Sequence, residues 1–455
     1  MSDLRLTWYG DDFTGSTDSL EALTLGGVRA ALFLEPPQPD DLTGRFADLQ
    51  AIGLAGVSRS LSPAEMEIEL RPKFEALKQL GGTVCHYKTC STFDSSPQVG
   101  SIGRATDIGC EVFQPNYVPL VVAAPALKRY VVFGNLFATV GADTYRLDRH
   151  PTMSKHPTTP MNESDLRLHL ARQTDQPIAL FDILHLAGKD AELDQHLEAL
   201  RADNAKIIVF DTLDNVHLAK VGRMIWNSSQ TDPLFVVGSS GVEYALVAHW
   251  QQIGLAEKRS RFQPLAEVDQ LVVVSGSASP VTAGQIDWAI ARGYAGLRLD
   301  TVKLVDPDQA DSARTTVIEQ ALSYINKGKS VIVYTVHGPD DPALHATRQR
   351  MRALDLAANN MGEILGVQLG QILRVLLAES GLRRACVAGG DTSGFVAPQL
   401  GIYALEMIMP TAPGSPLCRA SSHEPQFDGL EIVLKGGQVG QANYFGVIQQ
   451  GGLQP

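Results

Sequence analysis

The chain has 455 residues, of which 44% are hydrophobic and 19% are charged, and its formal net charge is −12 at pH 7. This length exceeds one ordinary hydrophobic core, so we expect two folded domains. The acidic balance argues against a nucleic-acid-binding protein, whose phosphate contacts need a clustered basic surface. Small anions remain acceptable ligands, because a local pocket can be basic in an acidic protein.

The sequence predicts a cytoplasmic protein that binds neither membranes nor nucleic acid. The start, residues 1–9, carries charges at Asp3 and Arg5 and lacks the apolar core of a signal peptide. No apolar run approaches the roughly 18 residues that cross a bilayer. The cysteines are odd in number and form no C-x-x-C pair, which disfavours disulfides and a thiolate zinc site; they are Cys85, Cys90, Cys110, Cys386 and Cys418.

Short β-branched or aromatic runs alternate with helical patterns along the chain, which predicts α/β domains with largely parallel sheets. The strand-like runs are 4–9, 28–34, 83–87, 130–133, 178–181, 206–210, 234–237, 271–274, 330–334, 385–388 and 430–434. The helix-like stretches are 63–80, 163–173, 191–203, 282–292, 308–326 and 344–380. The charged segment 254–270 contains a proline and separates two predicted domains, 1–260 and 261–455.

The first candidate site is "TWYGDDFTGSTDSLEAL", residues 7–23. We interpret it as a strand, a turn over 10–17, and a helix that begins near Asp18 with capping-box spacing. Ligands of open α/β sheets bind beyond the carboxyl ends of strands, where this turn lies. Asp11 and Asp12 alternate in direction, so we expect one of them to face the crevice. The alternative is that both only cap and solvate the turn.

Two further stretches could bind an acidic or polyhydroxy ligand. In "CHYKTCSTFDSSPQVGSIG", residues 85–103, a strand leads into a turn with Lys88, Thr89, Ser91 and Thr92. In "AGVSRSLSP", Arg59 follows an apolar run, and a guanidinium is well shaped to bind a carboxylate with two hydrogen bonds. The alternatives are a surface loop rich in Ser and Thr and an ordinary surface arginine.

The stretch "HPTMSKHPTTPMNES", residues 150–164, contains His150, His156 and Glu163. Two histidines and a carboxylate suggest a metal site. Helical metal pairs use closer spacing, however, and prolines do not fix a ligand geometry here. A substrate-contacting loop or a simple turn is therefore the favoured interpretation.

Three glycine- and hydroxyl-rich turns follow apolar runs in the second domain. They are "VVVSGSASPVTAGQ" (272–285), "VAGGDTSG" (387–394) and "VLKGGQVGQ" (433–441). Glycine lets backbone N–H groups approach phosphate oxygens, and helix N-termini add a favourable dipole. Together the three turns predict a nucleotide site. A P-loop is absent, because Ser323 stands where its first glycine should be, and no G-x-G-x-x-G occurs.

The ordered set "YGDDFTGSTD", "YKTCSTFDSSP", "HPTTPM", "SGSASPVT", "AGGDTSG" and "LKGGQVG" resembles the four-carbon acid sugar kinase family, also called DUF1537. The resemblance implies a substrate-binding domain over 1–260, an ATP-binding domain over 261–455, and an active site in the interdomain cleft. It implies phosphorylation of threonate, erythronate, an oxo-tetronate or a related branched acid such as oxo-isoapionate. Homo-oligomerisation is a further expectation. The tail "PGSPLCRASSHEP" departs from the family pattern and leaves the substrate open.

The resemblance also assigns residues by motif position. ATP would contact Ser275, Ser277, Gly389, Gly390, Asp391, Thr392 and Gly437. The acid sugar would contact Asp11, Arg59, Lys88, Thr89 and Ser91. Asp12 would be the catalytic base, and Asp391 would hold Mg²⁺ or, alternatively, cap a helix.

Two rival functions are weaker. A phosphatase that forms an aspartyl phosphate needs D-x-D spacing, which fails at Asp11 and Asp12. A non-catalytic two-domain sensor of sugar acids would keep Arg59 and Lys88 and lack phosphate turns, and this chain has three. A non-catalytic sensor that binds both a sugar acid and a nucleotide stays the alternative to a kinase.

Overall fold

The computed structural model describes residues 3–156, 158–259, 261–357 and 360–453. Its chain divides into two units after Arg259. Residue 260, where we predicted the first domain to end, lies outside the described residues. Strands and helices alternate in both units, so the predicted α/β class is confirmed.

The first unit has one parallel sheet with helices between its strands, and a small hairpin sheet. The strands are β1 (Leu6–Gly10), β2 (Ala30–Phe33), β3 (Ala51–Ala55), β4 (Val84–Lys88), β5 (Val118–Val121), β6 (Arg129–Val132), β7 (Asn135–Val140), β8 (Asp143–Arg146), β9 (Ile178–Phe181), β10 (Ile207–Phe210) and β11 (Leu234–Gly238). The helices are α1 (Phe13–Leu25), α2 (Pro63–Leu80), α3 (Ile102–Phe113), α4 (Leu166–Leu170), α5 (Ile183–Leu186), α6 (Asp190–Ala202), α7 (Asn215–Ser228) and α8 (Gly241–Gln252).

The main sheet of this unit has the order β2-β3-β1-β4-β11-β5-β10-β9. Its neighbouring strands all pair in parallel. Parallel strands covered on both faces are apolar throughout, as in β10, whose four residues are fully buried. Because all of these strands run in the same direction, their carboxyl ends share one edge of the sheet. Strands β6, β7 and β8 form a separate antiparallel sheet.

The second unit has the strands β12 (Val272–Ser275), β13 (Ala295–Arg298), β14 (Val331–Tyr334), β15 (Arg384–Ala388), β16 (Ile402–Met409), β17 (Leu417–Ser422) and β18 (Glu431–Lys435). Its helices are α9 (Pro280–Ile290), α10 (Thr301–Leu304), α11 (Ala310–Ile325), α12 (Pro342–Ala353), α13 (Met361–Ser380), α14 (Gly390–Gln399) and α15 (Tyr444–Gln449). The strand order is β13-β14-β12-β15-β18-β17-β16. The first five strands pair in parallel, whereas β17 is antiparallel to both of its neighbours.

Two sequence-based element predictions are wrong. The predicted helix over 344–380 is two helices, α12 and α13, because the chain leaves the first one at Leu354 and Asp355 has a left-handed φ of 56°. The predicted turn over 10–17 is also wrong, since α1 already begins at Phe13. Helix α13 is long and apolar enough to cross a membrane by length and composition. It packs against α11, α14 and β12, so its apolar side chains have partners within the second unit.

Candidate functional site

The carboxyl ends of β3, β1 and β4 bring the predicted acid-sugar residues of the first unit together. Gly10 at the end of β1 is in register with Ala55 on one side and Lys88 on the other. The chain then continues into Asp11 and Asp12, and the backbone N–H of Asp11 donates to the carbonyl of Lys88 at 2.9 Å. Arg59 returns to this edge and donates its backbone N–H to the carbonyl of Asp11, also at 2.9 Å.

Asp11 is the buried carboxylate of this cluster, at 3% exposure. Arg59 donates to it twice, from Nη2 to Oδ1 at 2.8 Å and from Nε to Oδ2 at 3.1 Å. Burial raises the pKa of Asp11, and the nearby charge of Asp12 raises it further, while Arg59 opposes both effects. These two hydrogen bonds connect the segment after β3, which carries Arg59, to the segment after β1, which carries Asp11.

Asp12 is the N-cap of α1 and stays partly accessible. Its Oδ1 accepts the backbone N–H of Gly15 at 2.7 Å, and its Oδ2 accepts Thr14 Oγ1 at 3.0 Å. Oδ2 also accepts Arg59 Nη1 at 2.9 Å, and the Asp12 side chain is 19% exposed. Because Asp12 supplies the cap, the helix starts here and not near Asp18, where we predicted it.

Arg59 is held by the protein's own carboxylates. Its Nε, Nη1 and Nη2 atoms all donate to Asp11 or Asp12, and its side chain is 28% exposed. Burial lowers the pKa of Arg59, but the two carboxylates raise it well above its usual range. If Arg59 binds the carboxylate of a substrate, it would therefore use N–H groups that do not donate to Asp11 or Asp12.

Lys88 is almost fully buried, at 2% exposure, and its Nζ lies 3.6 Å from Asp18 Oδ2. Burial lowers the pKa of Lys88, whereas Asp18, Asp12 and Asp11 raise it above the usual value. Gly15 leaves the room that this ammonium needs, since a Cβ there would lie 2.7 Å from Lys88 Nζ and 2.2 Å from Asp12 Oδ1. The ammonium therefore lies beside the first turn of α1.

Thr89 and Ser91 occupy different surroundings at the end of β4. Thr89 is fully buried and its hydroxyl donates to the carbonyl of Gly238 at 3.1 Å. Ser91 is partly exposed at the start of the following turn.

Two acids that sequence reasoning did not single out join this cluster. Asp18, within α1, pairs with Lys88. Asp94 is 7% exposed and accepts Thr92 Oγ1 at 2.6 Å. Burial raises the pKa of Asp94, but Arg59 and the Thr92 hydroxyl outweigh it and lower the pKa. Both acids belong to the motifs quoted above, but their spacing in the sequence does not indicate that they lie near Lys88 and Arg59.

The histidine stretch forms turns. His150 Nδ1 accepts the backbone N–H groups of Thr152 and Met153, each at 3.2 Å, and His156 Nδ1 accepts that of Thr159 at 3.2 Å. Pro157 of this motif lies outside the described residues. Within the described parts of the chain, no group of three or more His, Cys, Asp or Glu side chains could hold a metal ion.

In the second unit, the three glycine turns follow three neighbouring strands, β12, β15 and β18. Ala388 is in register with Ser275 on one side and Lys435 on the other. The backbone N–H of Gly276 donates to the carbonyl of Ala388 at 3.0 Å, and that of Gly389 donates to the carbonyl of Lys435 at 2.9 Å. The turns therefore lie side by side at one edge.

A cavity of about 240 Å³ opens at these turns. Residues of the glycine turns contribute to its lining, among them Ser277, Gly389, Gly390, Asp391, Thr392 and Gly437. Apolar side chains also line it, including Val336, Leu344, Leu365 and Leu369. Ser275 is fully buried, and its Oγ accepts the backbone N–H of Ser277 at 3.4 Å. A phosphate chain would suit the glycine turns, and a flat base would suit the apolar side chains.

The glycines keep this lining free of side chains. Gly389 has a φ of +129°, and a Cβ on it would lie 2.6 Å from Thr392 Oγ1. A Cβ on Gly437 would lie 2.6 Å from Ser277 Oγ. Helix α14 begins at this point with Gly389 as its N-cap, so Asp391 stands in the first turn of the helix and not at the cap. Asp391 is therefore not the N-cap residue of α14 itself.

Two family models match different parts of the chain. A family model described as a sugar-binding N-terminal domain matches residues 6–246, and one described as a nucleotide-binding C-terminal domain matches residues 272–445. The first range contains the charged cluster, and the second contains the glycine turns.

Full-length relatives are kinases by name. The chain is 47% identical to the 3-oxo-isoapionate kinase of Paraburkholderia graminis, over 99% of this chain and 95% of that protein. It is 29% identical to the 3-oxo-tetronate kinase of Pseudomonas savastanoi pv. phaseolicola, over 96% and 94% of the two chains.

The fold also matches a crystal structure from Salmonella typhimurium LT2, of a protein described as a putative tRNA synthase. The TM-score is 0.76 and the identity 26%, and the match covers 97% of this chain and 98% of that one.

Proposed function

Because the chain belongs to the four-carbon acid sugar kinase family, we propose that it transfers the γ-phosphoryl group of ATP to a hydroxyl of a small sugar acid. The observation that carries the proposal is the set of three glycine turns beside one cavity in the second unit. Backbone N–H groups and the N-terminus of α14 at that edge favour phosphate.

We select 3-oxo-isoapionate as the first substrate to test. The chain is 47% identical to a 3-oxo-isoapionate kinase, against 28–30% for the 3-oxo-tetronate kinases that it resembles. A 3-oxo-tetronate, threonate and erythronate follow in that order. ATP is a cytoplasmic metabolite, so we place the reaction in the cytoplasm.

The acid sugar would bind at the charged edge of the first unit, in contact with Asp11, Arg59, Lys88, Thr89 and Ser91. Asp12 would accept the proton of the attacking hydroxyl, because a kinase needs a positioned carboxylate to orient and deprotonate its acceptor. The hydroxyl oxygen then bonds to the γ-phosphorus while the bond from that phosphorus to the β,γ-bridging oxygen breaks, and ADP leaves. Asp12 suits this role better than Asp11, since its carboxylate is the more exposed of the two.

The nucleotide would bind at the glycine turns, with Ser277, Gly389, Gly390, Thr392 and Gly437 around its phosphates and Ser275 supporting them from below. Asp391 is the one carboxylate among the described residues that line the cavity. A single carboxylate fits Mg²⁺, which is bound through one or two carboxylates plus substrate phosphates. When bound, the ion would neutralise phosphate charge.

The test is a coupled assay of ADP release with Mg–ATP and each of the four acids. We expect ADP release that depends on the acid, on ATP and on Mg²⁺, fastest with 3-oxo-isoapionate. An exposed-residue variant such as Arg149→Ala, whose side chain is 76% exposed, serves as the matched control. If both ligands bind but no acid gives turnover, the non-catalytic sensor is the better description.

A further inference from the structure

Lys435 is a buried ammonium without an acidic partner, directly behind the glycine turns. It is the last residue of β18 and is fully buried. Its Nζ donates to Thr282 Oγ1 at 2.9 Å, and within the described chain it forms no ion pair. The Thr282 hydroxyl in turn donates to the carbonyl of Gly437 at 2.8 Å. Lys435 is thus two hydrogen bonds from a residue that lines the cavity.

The surroundings of Lys435 make its positive charge costly. Thr282 lies in the first turn of α9, where the helix dipole already presents positive potential. Burial lowers the pKa of Lys435 to about 8, and burial raises the pKa of the nearby Cys386 to about 12, so this thiol offers no negative charge at neutral pH. A buried charge is normally paired, so an unpaired one at this position needs an explanation.

Within the described chain, the other charged groups on the packed elements form no ion pair with Lys435. Asp287 of α9 is 65% exposed and pairs with His337, and Asp391 of α14 is exposed. Arg384 of β15 pairs with Glu431 at the far ends of these strands. Each of these groups is either exposed to solvent or paired with another side chain.

We propose that Lys435 is a positioning residue for the nucleotide, whose ammonium compensates the polyphosphate charge from behind the turns and fixes Gly437 through Thr282. This inference rests on the proposed nucleotide site. An anion at the turns would offset the cost of the buried ammonium, so a polyphosphate would favour the protonated lysine. The nucleoside part of the ligand would gain nothing from it.

Calorimetric titration with ADP and with adenosine, in the presence of EDTA, separates these contributions. In Lys435→Met we expect ADP affinity to fall at least tenfold while adenosine affinity stays within threefold. Lys435→Arg, which keeps the charge, should recover part of the ADP affinity. Lys327→Met is the control, because Lys327 is exposed in the same unit and should leave both affinities unchanged.

The wild-type protein supplies a second measurement that does not depend on the variants folding. Titrations at pH 8.5 in two buffers of different ionisation heat should show net proton uptake with ADP and none with adenosine. Equal losses of ADP and adenosine affinity in Lys435→Met, or equal proton uptake with both ligands, would contradict the proposed role of Lys435. Neither result would contradict the proposed kinase function. If the wild type binds neither ligand, the proposed function is contradicted together with the role of Lys435.

Discussion

Asp11 and Asp12 are neighbours in sequence, yet the structure gives them different surroundings. Asp11 is enclosed by Arg59 and the strand ends, whereas Asp12 caps α1 and keeps part of its carboxylate accessible. The base has to be accessible to a substrate hydroxyl, and the carboxylate of Asp12 is the more accessible of the two. This difference, and not the identity of the residues, supports Asp12 as the proposed base.

The substitution Asp12→Asn tests this role. Asparagine is as good an N-cap as aspartate, so α1 should keep its start, but an amide cannot accept the proton. We expect kcat to fall by about 10²–10⁴-fold with substrate and ATP still bound. The measurement is the coupled kinase assay combined with calorimetric titration of both ligands.

Asp11→Asn is the matched comparison. It removes one charge of the same cluster, and we expect lost stability with a much smaller loss of turnover. Near-normal turnover in Asp12→Asn beside an inactive Asp11→Asn would exchange the two roles. Normal turnover in both variants would exclude the site from catalysis and leave Asp391 as the next candidate.

The substitution Arg59→Ala should affect both stability and substrate binding. It leaves the buried Asp11 carboxylate without its cation, which costs about 3 kcal/mol, the lower end of the range for a broken buried pair. Substrate affinity should weaken by about 1.5–3 kcal/mol if Arg59 also binds the acid, while nucleotide affinity should hardly change. Denaturant unfolding and separate ligand titrations measure the two effects.

The pH dependence of Arg59→Ala has a definite sign. Burial already raises the pKa of Asp11, and removal of Arg59 takes away the interaction that lowers it. The Asp11 carboxyl of the folded variant then binds a proton more tightly than it does in the unfolded chain. The contribution of Asp11 to stability is therefore greatest at low pH and is lost as pH rises through the folded pKa. The deficit relative to wild type should be smaller at pH 5 than at pH 8, and Arg59→Ala/Asp11→Asn should remove this difference. A deficit that is independent of pH would contradict the assignment.

At the scale of elements, the sequence predicted each glycine turn, but it did not predict that the three turns lie side by side. Each follows an apolar run, so sequence reasoning placed it after a strand. The order β12-β15-β18 depends on pairing between distant segments, with Ser275 beside Ala388 and Ala388 beside Lys435. Periodicity is local and carries no such pairing. For the same reason the role of Lys435 could not be read from its place before two glycines.

The local sequence pattern also missed or misplaced elements that contain an unusual residue. Pro119 lies inside β5, and a proline normally demotes a strand, so this strand was missed. Glu243 is fully buried in α8 and interrupts its apolar pattern, because it pairs with His86 at 2.7 Å. Asp12 was interpreted as a turn residue, although its side chain is what starts α1. Of these, the Glu243 pairing depends on a residue distant in sequence, whereas the Asp12 cap is local and accepts the N–H of Gly15.

Gly15 and Gly284 form a matched pair of helical glycines with opposite expectations. A Cβ on Gly15 would collide with Asp12 Oδ1 and Lys88 Nζ, whereas a Cβ on Gly284 would meet nothing within 4 Å. Gly15→Ala should therefore displace the proposed base and lower kcat by at least tenfold. Gly284→Ala should keep activity and raise stability by about 0.5–1 kcal/mol, the usual gain over glycine in a helix. Unchanged kinetics in Gly15→Ala would mean that this turn adjusts without affecting catalysis.

For the whole molecule, the proposed reaction sets a requirement on both units at once. The acid would be held by charged groups of the first unit and the phosphates by glycine turns of the second. Transfer requires the attacking oxygen and the γ-phosphorus to approach within about 3–3.5 Å, with bulk water excluded. Binding of both ligands must therefore stabilise an arrangement in which the two edges meet.

Small-angle scattering tests this requirement. We predict a smaller radius of gyration with the acid sugar and a non-hydrolysable ATP analogue together than with either ligand alone, because only the ternary complex gains contacts from both sides. Asp12→Asn should contract in the same way, since it is expected to bind both ligands and to fail only at proton transfer. Contraction in the wild type but not in Asp12→Asn would assign Asp12 to closure and not to chemistry. No contraction under saturating ligands, in a protein that turns over, would show that closure is not required.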